Sequence, residues 1–199
     1  MQNMKKVILI GGSPMVGKTT AAVSLAAKLA YQCISTDDIG EVLQTIADIN
    51  PMRGQNYLDY YSDNEKSKLI DDIINYHKIL EPAINRLIEI HSAWGRGKPM
   101  IMEGWALYPN NLKNTNENVF TIWLVADKNL LRTRFIANES FYKNARDPEK
   151  VIENYVFRSE WHNNLILEQC KANNQVYILV KEDSSTDEIV ASILKLLTE

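Results

Sequence analysis

Cysteine is nearly absent from this 199-residue chain: Cys33 and Cys170 stand far apart, and neither lies in a CxxC or Cys/His spacing. With only His77, His91 and His162 scattered around them, a disulfide scaffold and a zinc site are excluded, and the usage is that of a reduced intracellular protein. Long apolar runs are missing too. The longest apolar-looking stretch, Ala21 to Ala30, is broken by Ser24 and Lys28 and is too short to cross a bilayer. The early run VILIGG follows two lysines but ends in glycine without a cleavage site, so no signal peptide is expected. Nor is there an excess of one charge: the net charge is −3, which excludes a large basic face for nucleic acid and leaves room for one cationic pocket. These absences imply a soluble cytoplasmic protein whose partners are small molecules, with no nucleic acid and no membrane.

What is present is ordinary for a globular protein, with 45% hydrophobic and 24% charged residues. At roughly 150 residues per domain, residues 1–199 read as a single domain. Short β-branched runs, Lys5–Gly12, Cys33–Thr36, Pro99–Gly104, Val119–Ala126 and Gln175–Val180, alternate with helical patterns. That alternation predicts an α/β protein with a five-stranded parallel sheet covered on both faces. The first helix is expected over Lys18–Tyr31 with Val23, Ala26, Ala27 and Ala30 inward; the last opens on a capping box, Ser185 and Glu188. Two segments exceed a minimal α/β unit. Residues 48–97 form a largely helical insertion in which Pro82 is expected to introduce a kink. Residues 138–147 form a polar loop that ends where Asp147 can cap a helix with Pro148 in its first position.

Directly after the first strand comes GSPMVGKT, Gly12 to Thr19, a G-x-x-x-x-G-K-T loop leading into a helix. Glycines let the backbone wrap a phosphate, and the amides of the helix start point at it with the helix dipole behind them. Gly12, Ser13, Pro14, Met15, Val16, Gly17, Lys18, Thr19 and Thr20 are therefore expected to hold ATP. Lys18 supplies charge for the terminal phosphates, the Thr19 hydroxyl is a ligand for Mg²⁺, and Lys18 is expected outside the core.

GGSPMVGKTTAAVSLAAKL, ISTDDIGEVL and MIMEGWALYP together resemble the P-loop small-molecule kinases, most closely the 2-phosphoglycerate kinase-like group. Those proteins carry a phosphate loop, an S-T-D element after the second strand and an E-G-x-x-x-x-P element after the third. The resemblance implies the three-layer P-loop NTPase fold with strand order 2-3-1-4-5, residues 48–97 as the acceptor-binding insertion and residues 138–147 as a short lid. One departure bears on the acceptor. The group's helix after S-T-D carries arginines suited to an acidic, phosphorylated substrate, whereas here Gly40 and Gln44 stand in it, and the first arginine afterwards is Arg53.

Asp37 and Asp38 follow the second strand, where carboxylates face the cleft of an open α/β sheet. The resemblance assigns Asp37 to the acceptor hydroxyl, whose proton a carboxylate can take, or to the metal; the alternative is a helix N-cap, and Asp38 fits a cap or first turn. Glu103, at the end of the third strand, is a candidate for Mg²⁺ or a substrate hydroxyl, and Trp105 and Tyr108 beyond it for the acceptor wall. Arg132, Arg134, Arg146 and Arg158 flank the lid. Arg134, which matches the family's Arg-Phe, and Arg146, at the loop's end, are expected at the transferring phosphoryl group. The histidines are given no role; Trp94, Trp123 and Trp161 read as core, and Asp71 and Asp72 as a solvated face. The expected function is an ATP-dependent phosphotransferase acting on a hydroxyl of a small metabolite, such as a phosphoglycerate-like acid. The alternatives are a kinase for a sugar acid, nucleotide-sugar or antibiotic, or a regulatory ATPase, although no N-K-x-D element is present.

Overall fold

In a computed structural model the described residues are 5–47, 49–52, 54–93, 97–112, 115–127 and 129–198; Asp48, Arg53 and Trp94 lie outside them. The order is β1 (Val7–Gly12), α1 (Lys18–Leu29), β2 (Gln32–Ser35), α2 (Thr36–Gln44), α3 (Tyr57–Asp63), α4 (Lys66–Ser92) and β3 (Met100–Gly104). Then come α5 (Pro109–Leu112), β4 (Val119–Ala126), α6 (Leu130–Ile136), a 3-10 turn (Glu139–Phe141), α7 (Pro148–Ala172), β5 (Tyr177–Val180) and α8 (Thr186–Leu196). The sheet is parallel in the order β2-β3-β1-β4-β5.

Every residue of β1 and β3 is buried, as it must be for strands covered on both faces. Within β1 the side chains still alternate. Val7 and Leu9 join the layer with α4 and α7, and Ile8 and Ile10 join that with α1 and α8. Each such burial stabilises by about 1.5–3 kcal/mol. The inward face of α1 is Ala21, Ala22, Leu25 and Ala26, whereas Val23 is 56% exposed. The expected face is thus rotated. An alanine-rich helix has no strong apolar stripe of its own, and the phosphate loop fixes where α1 begins.

Asp147 caps α7, accepting from the Lys150 amide with Pro148 behind it, and Ser185 and Glu188 form the capping box of α8. α4 runs unbroken through Pro82, and its stripe of Ile73, Tyr76, Leu80, Ile84 and Ile88 packs in the core with β1 and β3. Much of the expected insertion therefore forms one layer of the domain. Among the described residues, no helix is long and apolar enough to cross a membrane.

Candidate active site

β1 delivers the chain into the phosphate loop at the carboxyl edge of the sheet. The turn needs left-handed backbone at Gly17 (φ 104°), and Met15 adopts it as well (φ 64°). The buried Ser13 hydroxyl donates to the Ser159 carbonyl at 2.6 Å, tying the loop to α7. Arg134 Nη1 donates to the carbonyls of Met15 (3.0 Å) and Val16 (2.9 Å). Its guanidinium, expected at the phosphoryl group, braces the loop from outside.

Lys18 is only 7% exposed, contrary to the expectation that it lies outside the core, and Nζ donates to the Ser13 carbonyl at 2.8 Å. Burial pulls its ammonium below the ordinary lysine value, against the opposing pull of Glu103 and Asp37. A desolvated cation with one neutral acceptor is suited to an arriving anion. Beside it the Thr19 hydroxyl donates to Glu103 Oε1 at 3.1 Å. A hydroxyl oxygen next to a carboxylate at the loop mouth is a hard-oxygen pair of the kind Mg²⁺ binds.

The two later motifs meet each other. Ser35 lies in register with Glu103 across the β2–β3 ladder. Gly104 is required by closeness, since a Cβ there would sit 1.7 Å from Thr36 Oγ1. Ser35, not Asp37, is the N-cap of α2; its hydroxyl accepts from the Asp37 amide. The Asp37 carboxylate is thus not occupied by capping, and it faces the cleft with Oδ1 accepting from the Trp105 indole at 2.8 Å. The departure at Gly40 and Gln44 also has a structural reason. A Cβ on Gly40 would lie 1.9 Å from the Tyr76 hydroxyl, to which Gln44 Nε2 donates at 3.3 Å. A tyrosine of α4 fills the space over α2.

Between these groups opens a cleft of about 330 Å³. Its walls include Pro14, Lys18, Asp37, Trp105 and Arg158. Arg158, one of four arginines flanking the lid, is the one the fold buries here. Its guanidinium carbon lies 4.5 Å from the Trp105 ring centroid and 4.9 Å from that of Tyr61. Nε is buried without a hydrogen-bond partner, and among the described residues no carboxylate pairs with it. The signal was in the sequence: Val151, Tyr155, Arg158, His162 and Ile166 follow helical spacing, and all five are buried. Arg146 instead lies on the surface, paired with Asp63, and Arg132 is exposed.

Behind Trp105 two histidines are buried, not partly exposed as lone helix histidines usually are. His162 Nε2 donates to the Trp105 carbonyl (2.9 Å), and His77 Nδ1 shares a 2.7 Å hydrogen bond with the Tyr108 hydroxyl. Burial pushes His162 down to about 3 and His77 well below its ordinary value, so both are neutral wedges that set the height of Trp105. Tyr108 thus supports the cleft wall without lining it. Trp123 is core, Trp161 packs against the core, and Asp72 accepts from the Tyr60 hydroxyl, whereas Asp71 is exposed.

No protein-family model matches the chain. Two curated 2-phosphoglycerate kinases, from two strains of Methanococcus maripaludis, are each 27% identical over 97% of it, and the chain spans 64% of their length. Among solved structures, shikimate kinase from Bacteroides thetaiotaomicron superposes with a TM-score of 0.54 at 13% identity, covering 96% of this chain and 97% of that one. Shikimate kinase from Acinetobacter baumannii in complex with shikimate gives 0.53 at 14% identity, covering 98% and 93%. The chain is thus similar in sequence to 2-phosphoglycerate kinase and has the fold of the shikimate-kinase type of P-loop protein.

Proposed function

We propose that this chain is an ATP-dependent kinase that phosphorylates a hydroxyl of a small acceptor, in keeping with a soluble cytoplasmic enzyme. One observation carries the reading: the buried Lys18, Asp37 and Arg158 line a single cleft from α1, α2 and α7, and the Thr19–Glu103 pair stands beside Lys18 at its edge. The loop from Gly12 to Thr20 cradles the β- and γ-phosphates, and Lys18 exchanges the Ser13 carbonyl for them. Thr19 and Glu103 would hold Mg²⁺, which when bound would supply positive charge for the transferred group.

Trp105 fixes Asp37 through Oδ1, leaving its other oxygen to orient the acceptor hydroxyl and take its proton. The largely buried Arg158 supplies positive charge at the site, where low exposure strengthens it. Arg134 contributes by holding the loop in shape, and Arg146 by latching the lid to Asp63.

The test is ATP turnover with and without a panel of hydroxylated metabolites, repeated for Asp37→Asn and Glu103→Gln at two Mg²⁺ concentrations. Loss of a general base lowers turnover by about 10²–10⁴-fold, so Asp37→Asn is expected to do so with nucleotide affinity kept. Glu103→Gln is expected to raise the Mg²⁺ requirement and to be partly rescued by excess Mg²⁺. Wild-type protein that shows no thermal shift with ATP and Mg²⁺, or turnover indifferent to every acceptor, would remove the kinase reading.

A further inference from the structure

Resting on the kinase reading, we propose that the acceptor is an aromatic hydroxy acid with a single anionic group, its ring held by the tyrosine wall and its anion by Arg158. The charges favour this. Among the described residues lining the cleft the cations are Lys18 and Arg158, and the carboxylates are Asp37 and Glu41. The nucleotide phosphates take Lys18. Among these described residues, one cation, facing two carboxylates, remains for the acceptor. A phosphorylated acid would bring a carboxylate and a phosphate of about −1.5 to −2 into the same space, beside the phosphates of ATP. A single anion is matched and a polyanion is repelled.

The shape favours it too. Tyr57, Tyr60, Tyr61, Tyr76, Trp105 and Tyr155 line the same cleft. Tyr57 and Tyr61 lie 4.8 Å apart at 55°, and Tyr61 and Tyr155 lie 5.3 Å apart at 52°, so the wall offers ring edges and faces together. An incoming π-system pairs with the ring edges that reach the cleft in the tilted arrangements that aromatic rings prefer, whereas a three-carbon chain would cover less of this apolar wall. The volume, about 330 Å³, suits a compound of one ring. Arg158 lies against Trp105 and Tyr61, and this stacking holds its planar fork in place for a carboxylate. Its Nε and the Tyr57 hydroxyl are both buried and without partners, and the acceptor's oxygens would supply the missing hydrogen bonds.

The experiment is calorimetric binding to the full chain with Mg²⁺ and a non-hydrolysable ATP analogue. The probes are 4-(hydroxymethyl)benzoate, its saturated counterpart trans-4-(hydroxymethyl)cyclohexanecarboxylate, glycerate and 2-phosphoglycerate. The benzoate is expected to bind about threefold to tenfold tighter than the saturated ring, and roughly tenfold or more tighter than glycerate or 2-phosphoglycerate. Arg158→Met should weaken the benzoate by about tenfold to a hundredfold while hardly touching 4-(hydroxymethyl)benzamide. Tyr57→Leu should weaken the benzoate more than glycerate. The thermal shift given by the ATP analogue establishes that each variant is folded. Equal affinity for the saturated ring, tighter binding of either non-ring acid, or no benzoate binding while the analogue still binds would each overturn the aromatic acceptor and leave the kinase reading standing. Loss of analogue binding in the wild type would remove both.

Discussion

The two walls of the cleft are built on opposite principles. On the proposed reading, the phosphate wall is a run of consecutive residues, Gly12 to Thr20, that would work through backbone amides and one buried lysine. The proposed acceptor wall is assembled from α2, α3, α4, the turn after β3 and α7, and would work through side chains: Asp37, Tyr57, Tyr76, Trp105 and Arg158. A phosphate presents the same oxygens in every nucleotide, so a local backbone device serves, and a short sequence motif encodes it. An acceptor is recognised by shape and charge, which need residues brought together from far apart in the chain.

The sharpest way to break the comparison is to remove the phosphate wall's one charge. Lys18→Ala is expected to lower turnover by about 10²–10³-fold, the scale of losing a preorganised electrostatic partner, and, because Lys18 is buried and donates to the Ser13 carbonyl, to shift the melting temperature as well. Steady-state kinetics beside calorimetry checks this; a variant with near-normal turnover would mean that the loop cradles no phosphate.

On the acceptor wall the corresponding break is steric. Gly40→Ala must displace the Tyr76 hydroxyl, and overpacking of this kind costs about 1–3 kcal/mol. The acceptor KM should rise while nucleotide affinity holds. Tyr76→Phe on the Gly40→Ala background should recover part of the loss, and no recovery would show that the hydroxyl contact is not the cause.

The support behind Trp105 is tested by pH. His162 is held down to about 3 in the fold against about 6.5 when unfolded. The unfolded chain therefore binds the extra proton between those values, and stability falls as pH falls below about 6.5. Between pH 7 and pH 5 this one residue removes about 2 kcal/mol. His162→Gln, which keeps a donor for the Trp105 carbonyl, should flatten that acid limb in urea titrations at the two pH values. An unchanged limb would place the titration elsewhere.

The smallest effect is expected at the lid. Arg146 and Asp63 are both well exposed, and such a pair is worth less than about 1 kcal/mol. Arg146→Ala should shift the melting point slightly, less so in high salt, and leave turnover near wild type. A large fall in turnover without a change in stability would restore this arginine to the phosphoryl group.

The sequence alone determined the fold class, the five strands, the loop Gly12–Thr19, the caps at Asp147 and Ser185, and the placing of Asp37 just beyond the second strand and of Glu103 near the end of the third. The reason is that each is a local matter of backbone preference and short-range periodicity. It also carried the inward register of Arg158 on α7, but not what that arginine would face. Tertiary structure decided that Lys18 is buried, that α1 turns Ala21 and Leu25 inward, and that Arg134 braces the loop. It also decided that Gly40 yields to Tyr76 and that two histidines wedge Trp105 against Asp37. Each of these depends on a contact between residues far apart in the chain, and only close packing of the whole sets which neighbour occupies the space.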